Sequence, residues 1–411
     1  MRRLTGALIF FLAFASASAQ SRELDPTTFV VVGEGLAAGL VHFSLSSEYQ
    51  TRSFPAWIAR QMGTVFPQPL MQPPGLGKVI GFAELPMRVP SAPQTTVRES
   101  PPNLFVFNLS VPGYKLSDTL HRRPVAPLVQ PEDPQQTAAN LVLGFPALVL
   151  SPDVPLWTQL EYAQQMQPTL VLVEIGYAEA AEAAVLRSPA LLPSSSSFRT
   201  DYGRLLRELK ATFAEVVVLT IPDPLDSSYF SSLDSATRLL GLSQADLERH
   251  GLAPDDLILQ PALMQWAHDR LRDPNAKLSA DGILGRQAAA EIRSRIEGLN
   301  TEIQSLTRQY DCVVYDLHAY WRKLRQQGVL LGGRRLNGDL FGGFYSLNGL
   351  YPGPVGHGLI ANEVIDLFNR TYGRSFRSVD TAALVEQDIG AQVEFVPRAN
   401  SGALRAPTGR R

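Results

Sequence analysis

The chain has very little cysteine, since Cys312 is the single one among 411 residues. No internal disulfide can form, so a packed core must hold the fold, and a chain of this length buries enough apolar surface to do so. Cys312 itself lies in an apolar run between Asp311 and Asp316. A thiol in such a run is typical of an inert core side chain rather than of a nucleophile.

An excess of charge of one sign is also missing. Lys and Arg number 37, Asp and Glu number 39, and the formal net charge is −2. No predicted helix carries a basic stripe, which argues against nucleic acid as a partner. The histidines other than His357 show no metal-ligand spacing; they are His42, His121, His250, His268 and His318. We therefore expect neither a metal nor a cofactor.

A long apolar run occurs at the N-terminus and not elsewhere. It extends from Leu4 to Phe14, after two arginines, and is followed by Ala17-Ser18-Ala19. This pattern predicts a secretory signal peptide over residues 1–19, cleaved after Ala19. The alternative, a membrane anchor, is less favoured because the run is too short for the roughly 30 Å of a bilayer core. We expect an exported protein, periplasmic or extracellular, without a membrane span after cleavage.

Short runs of consecutive β-branched or aromatic residues recur along the chain, as is typical of strands buried on both faces. They are Phe29 to Val32, Leu104 to Asn108, Leu170 to Glu174, Val216 to Ile221 and Cys312 to Asp316. Helical periodicity lies between them, at 53–62, 200–213 and 288–310. The alternation predicts an α/β fold with a mainly parallel sheet between two helix layers, a three-layer α/β/α arrangement. Such sheets bind ligands at the carboxyl ends of their strands.

Residues 20–374 are predicted to form one domain. Two stretches within it exceed the simple alternation, near 130–168 and near 222–282. The second is predicted to be a small helical cap beside the site. The C-terminal tail, 375–411, is predicted to be partly disordered over its last dozen residues.

Four segments follow or contain predicted strand ends, in the order strand, loop, strand, loop. They are Phe29 to Leu36, Phe105 to Gly113, Val171 to Glu179 and Phe344 to Gly353. In order and wording they resemble the conserved blocks of the SGNH, or GDSL, hydrolase superfamily of lipases, esterases and acetylhydrolases. The chain as a whole is similar to an exported, large-insert branch of that superfamily. The resemblance implies an SGNH-type fold and a serine ester hydrolase site at the strand ends.

The reactive residues that the resemblance implies are replaced. Gly35 stands at the position of the nucleophilic serine, and Ala178 at that of the asparagine that binds the oxyanion. Asn348 and Tyr351 stand at the positions of the catalytic aspartate and histidine. Glycine cannot attack an ester, and tyrosine, with an ordinary pKa near 10, is a poor base at neutral pH. Loss of the nucleophile alone costs on the order of 10⁶ in kcat in a serine protease. We therefore predict a protein that does not hydrolyse esters.

Backbone donors survive these replacements. In the family, the glycine at the position of Gly113 supplies an oxyanion donor, and the N–H of Gly35 is available as another. We predict that the site binds, without cleaving it, an acyl, acetylated-sugar or other carbonyl-bearing ligand. The predicted ligand-binding residues are Glu34, Gly35, Gly113, Tyr177, Tyr351 and His357.

Three alternatives stay open. The first is an active esterase with a relocated nucleophile, Ser110 or Ser346, and His357 as its base, although we favour a structural role for His357. The second is acid and base chemistry by an acidic set, for which helix capping is the more frequent role. The acidic set comprises Glu34, Glu174, Glu179 and Glu182. The third is a scaffold that docks another envelope protein on its insertion at 222–282.

Overall fold

A computed structural model describes residues 23–77, 97–241 and 250–388 of the protein. The predicted signal peptide at 1–19 and the last dozen residues of the tail lie outside the described residues, as does part of the insertion. Export and tail disorder therefore stay predictions.

The described strands are short, and most belong to one of two sheets. They are β1 (Phe29–Gly33), β2 (Ser44–Leu45), β3 (Leu76–Gly77), β4 (Leu170–Glu174), β5 (Glu215–Leu219), β6 (Phe230–Ser232), β7 (Leu257–Leu259), β8 (Ile283–Leu284), β9 (Val313–Tyr315), β10 (Val329–Leu331) and β11 (Arg334–Leu336). β2 pairs with β3, and β10 with β11, as separate two-stranded ribbons.

The described helices range from one turn to nearly seven turns. They are α1 (Gly35–Ala38), α2 (Ser47–Gln50), α3 (Phe54–Met62), α4 (Leu116–His121), α5 (Pro134–Leu143), α6 (Gln159–Gln165), α7 (Tyr177–Val185), α8 (Ser195–Lys210), α9 (Leu233–Leu240), α10 (Gln260–Arg270), α11 (Arg286–Gln309), α12 (Leu317–Gln327), α13 (Pro354–Tyr372) and α14 (Thr381–Gln387). The periodicity at 53–62, 200–213 and 288–310 is thus found as α3, α8 and α11.

The central sheet is parallel, with strand order β1-β4-β5-β9. Every side chain of β1 and β4 is buried, which requires helices on both faces. α4, α6 and α11 pack on α8, whereas α3 and α14 pack on α13. These two groups form the outer layers, so the predicted α/β fold is confirmed.

The predicted strand at Leu104 to Asn108 is wrong in extent. A single parallel bridge joins Val31 to Asn108, and Val31 N–H donates to the Phe107 carbonyl at 2.8 Å. Leu104 and Phe105 are exposed, so the first half of the apolar run lies outside the sheet. An apolar run alone does not distinguish a full strand from an edge segment that touches the sheet at its end.

The insertion at 222–282 is only partly the helical cap that the sequence predicts. It contains α9 and α10 but also β6 and β7, which form an antiparallel sheet with β8. A small separate core holds it together, built from Ala236, Ile258, Leu263, Trp266 and Leu278. Strands this short leave no period-2 pattern that a sequence could reveal. Docking of another protein there stays a prediction.

The insertion adjoins the loop that precedes α13. Tyr229 N–H donates to the Gly349 carbonyl at 3.1 Å, and Gln260 Nε2 donates to the Leu347 carbonyl at 2.9 Å. The stretch at 130–168 also reaches the sheet, because Gln159 Nε2 donates at 2.7 Å to the carbonyls of Gly33 and Leu109. Both stretches therefore contact loops at the carboxyl ends of the strands.

Candidate functional site

The four segments singled out in the sequence converge at the ends of β1 and β4. Val111 N–H donates to the Gly33 carbonyl at 3.2 Å, which holds the second segment beside the first. The Tyr177 hydroxyl donates to the Leu350 carbonyl at 2.6 Å, which joins the third segment to the fourth. This strand-end site lies where parallel sheets of α/β proteins place their ligands.

Glu34 lies at the centre of this site and is fully buried. Its Oε1 accepts from Leu36 N–H at 2.7 Å, so the side chain caps the first turn of α1. Burial raises the pKa of Glu34 to about 7, whereas the backbone N–H groups of Leu36, Gly35 and Gly113 lower that pKa. Gly35 and Gly113 are the two residues whose backbone donors the sequence assigns to a ligand.

Tyr351 closes the site over Gly35. Its hydroxyl donates to Glu34 Oε2 at 3.0 Å. A Cβ atom at Gly35 would lie 3.0 Å from Tyr351 Oη and 3.1 Å from Cε1 and Cζ of the ring. Burial, and next the charge of Glu34, raise the pKa of Tyr351 well above its ordinary value. The phenol is therefore protonated at neutral pH and acts as a donor to Glu34, not as a base.

Tyr177 supports Tyr351 from the side. The Tyr177 ring stacks on Trp321, with centroids 5.4 Å apart, and meets the Tyr351 ring edge-on at 5.7 Å. The Tyr177 hydroxyl donates to the Leu350 carbonyl. The sequence predicts Tyr177 as a ligand contact, which stays a prediction, and in the structure its hydroxyl fixes the Tyr351 loop.

Asn348 shapes that loop. Its Oδ1 accepts from the N–H groups of Leu350 and Tyr351, each at 2.9 Å, and the side chain is fully buried. This arrangement is a side-chain turn of the kind that Asn and Asp form with the backbone two or three residues on. Asn348 therefore positions Tyr351, although it provides no carboxylate.

Asn348→Ala should lower the free energy of unfolding by about 2–4 kcal/mol, because two buried backbone N–H groups lose their acceptor. Urea unfolding followed by fluorescence measures the change. Asn348→Asp keeps both acceptor bonds and should cost clearly less when measured at pH 5, where a buried carboxyl is more readily protonated. Equal losses in the two variants would contradict a role based on the Oδ1 contacts.

Glu174 and Glu179 of the acidic set accept from backbone N–H groups, whereas Glu182 forms an ion pair. Glu174 Oε2 accepts from the N–H groups of Glu34 and Ala37 at 3.2 Å, and Glu179 Oε1 accepts from Leu116 N–H at 2.6 Å. Lys115 Nζ pairs with Glu182 at 2.5 Å. Burial raises the pKa of Glu179 to about 7 and that of Glu174 well above its ordinary value. The contacts of Glu34, Glu174 and Glu179 match the capping interpretation, and that of Glu182 does not.

His357 lies on the first turns of α13 and contacts α3. Its Nδ1 accepts from Phe54 N–H at 3.3 Å, and its ring stacks on that of Phe54 with centroids 6.1 Å apart. Burial lowers the pKa of His357 to about 3, so the imidazole is neutral. Ser110 Oγ and Ser346 Oγ are buried without a hydrogen-bond partner in the described part of the chain. The structure therefore shows no hydrogen bond between His357 and either serine.

Ala178, next to Tyr177 in the first turn of α7, is buried and presents only a methyl group. Gly113 has a φ of +77°, a conformation that favours glycine, and its carbonyl accepts from Gln135 Nε2 at 2.7 Å. Sequence reasoning missed His42, whose Nδ1 accepts from Leu347 N–H at 3.1 Å and so supports the loop before Tyr351. His42 is distant in sequence from that loop and follows no motif that would have revealed it.

Within residues 23–77, 97–241 and 250–388, no group of three or more His, Cys, Asp or Glu side chains is arranged to hold a metal ion. The helices in these ranges are each too short or too polar to cross a membrane.

Comparison with known proteins shows no family for this chain. No family model matches the chain, and no curated protein matches it. Among solved structures, the chain is similar to LAE5, an alpha/beta hydrolase enzyme from the metagenome of Lake Arreo, Spain, with 12% sequence identity and a TM-score of 0.36. That alignment covers 85% of this chain and 96% of the other. A TM-score of this size is too low to transfer either the fold or the activity of LAE5.

Proposed function

We propose that this protein is an exported, non-hydrolysing relative of the SGNH hydrolases that binds an acyl, acetylated-sugar or other carbonyl-bearing ligand. The observation that carries this proposal is the position of the Glu34 carboxyl group. It accepts from the Tyr351 hydroxyl at 3.0 Å, and the backbone N–H groups of Gly35 and Gly113 lower its pKa. These are the groups that would face the oxyanion and the base in a working esterase.

The loss of hydrolysis follows from the chemistry of the same residues. Gly35 provides no nucleophile, and the protonated phenol of Tyr351 cannot accept a proton from one. Asn348 provides no negative charge that would stabilise an imidazolium. An ester held at these strand ends would meet donors but no attacking group.

Ligand binding is supported by the chemistry of Glu34 itself. A carboxyl oxygen and a ligand's carbonyl oxygen are both acceptors, so donors that suit one also suit the other. A ligand would have to displace the Glu34 carboxyl and open the contact with Tyr351. The side chain of Glu34 is then an intramolecular competitor that lowers affinity.

Glu34→Ala should raise the affinity for a carbonyl ligand by roughly 10- to 100-fold, because it frees the donors of Gly35 and Gly113. Isothermal titration with N-acetylglucosamine and with butyramide measures this gain. Glu48→Ala, which removes a glutamate at the surface, serves as the control and should leave affinity unchanged. Weaker binding to Glu34→Ala than to the wild type, or no saturable binding to either protein, would contradict the proposal.

A further inference from the structure

Arg98 is a buried cation outside the strand-end site. It pairs with Met71 in an isolated antiparallel bridge, and only 5% of its surface is exposed. Its Nη2 donates to the Asn103 carbonyl, and its Cζ lies 4.3 Å from the centroid of the Phe145 ring. The guanidinium is therefore held in one orientation, stacked on an aromatic face and anchored at one nitrogen.

The other two nitrogens of this guanidinium, Nε and Nη1, are buried. Neither has a hydrogen-bond partner among residues 23–77, 97–241 and 250–388. Among the described residues, Arg98 has Tyr162 as an ionisable neighbour, a phenol whose pKa burial raises to about 12. Burial lowers the pKa of Arg98 only to about 10, so the side chain stays charged at neutral pH. Buried charges in proteins are ordinarily paired, and buried donors ordinarily have acceptors.

We propose that Arg98 anchors a second binding site, which takes the oxoanion head, carboxylate or phosphate, of a small amphiphilic ligand. Its Nε and Nη1 would supply charge-assisted hydrogen bonds to the anionic oxygens. The contacts of Arg98 with Asn103, Phe145 and Tyr162 involve no residue of the strand-end site. The proposal therefore does not depend on the proposed function.

The surroundings of Arg98 favour an anion that carries an apolar part. Val97 precedes Arg98 and is 49% exposed, and Leu104 and Phe105, which follow Asn103, are 39% and 41% exposed. The guanidinium thus belongs to a segment whose neighbouring residues lie at the surface. An apolar tail would bury some of these side chains while its head group reached the cation.

Titration of the full chain with octanoate and with octyl phosphate tests this site, with octanol as the uncharged analogue. We expect saturable binding of at least one of the two anions and none of octanol. Arg98→Met, which removes the charge but keeps an apolar stem on Phe145, should weaken that binding at least about tenfold. The anion that binds with the higher affinity identifies the head group as a carboxylate or a phosphate.

Arg60→Met is a matched control, because Arg60 also stacks on an aromatic ring, that of Trp57 at 4.2 Å, but lies at the surface. It should bind the anions as the wild type does. Thermal unfolding without added anion provides a second readout. Arg98→Met should then unfold at the wild-type temperature or above it, since an unpaired buried charge has been removed.

Three results would overturn the proposal. The first is the absence of saturable anion binding to the wild type, and the second is undiminished binding to Arg98→Met. The third is anion binding that appears only in Glu84→Gln. Glu84 is the acidic residue of the sequence between 78 and 96, outside the described residues. That result would identify a carboxylate of the chain itself as the partner of Arg98.

Discussion

Five substitutions made together should restore ester hydrolysis to roughly 10³-fold above the wild type. Four return the side chains that the resemblance implies, as Gly35→Ser, Ala178→Asn, Asn348→Asp and Tyr351→His. The fifth, Glu34→Asp, shortens the side chain whose pKa the backbone N–H groups of Gly35 and Gly113 lower. Turnover of p-nitrophenyl acetate and labelling by a fluorophosphonate probe measure the gain.

The structure predicts that these substitutions restore activity only in combination. Gly35→Ser alone should be inactive, because the new Cβ would meet the Tyr351 ring at about 3.0 Å and the ring is held by Tyr177. The four-residue variant that keeps Glu34 should be much less active than the five-residue variant. Equal activity of the two would show that Glu34 does not block the donors.

The wild type should show turnover at the background rate and no labelling by the probe. Turnover that disappears in Ser110→Ala or Ser346→Ala would contradict the binding-only proposal and favour the relocated nucleophile. A five-residue variant that folds, as judged by circular dichroism, and has no activity would contradict the correspondence between these positions and the family's motifs.

The fold could be predicted from the sequence because buried parallel strands produce continuous apolar runs. The runs that became β1, β4, β5 and β9 are apolar on both faces, and the helices between them have strong periodicity. The edge segment at Leu104 to Asn108 and the small sheet of the insertion could not be predicted. Both depend on tertiary contacts that leave no local period, as the single bridge at Asn108 shows.

The residues of the strand-end site could be predicted, whereas their mutual contacts could not. The resemblance implies that a serine, an asparagine, an aspartate and a histidine are replaced, but it does not indicate which side chains fill the space. Two contacts depend on rotamers and burial: Glu34 accepts from the Tyr351 hydroxyl, and Tyr351 covers Gly35. Arg98 was missed because it stands in no motif, and only the three-dimensional structure shows that it has no charged partner within the described parts of the chain.

The buried carboxyl groups should make stability depend on pH in a characteristic direction. The pKa of Glu34 is raised to about 7 in the folded state, from 4.5 without burial. Between these values the folded protein binds more protons than the unfolded chain, so the stabilising contribution is complete below about pH 4.5 and is lost as pH rises through 7. Glu179, whose pKa burial also raises to about 7, acts in the same direction.

Glu34→Gln isolates this effect, because glutamine keeps an oxygen for Leu36 N–H and does not titrate. The free-energy advantage of the wild type over this variant should fall by on the order of 2–3 kcal/mol between pH 5 and pH 8, measured by urea unfolding. Burial lowers the pKa of His42 to about 4 and that of His357 to about 3, so both histidines oppose this pH trend. Because both are present in the wild type and in the variant, their effect cancels in the difference between the two free energies of unfolding. Glu48→Gln, at the surface, should show no such change. A constant difference across this pH range would mean that Glu34 is ionised in the folded protein throughout, and that the donors of Gly35 and Gly113 hold a carboxylate rather than a neutral acid.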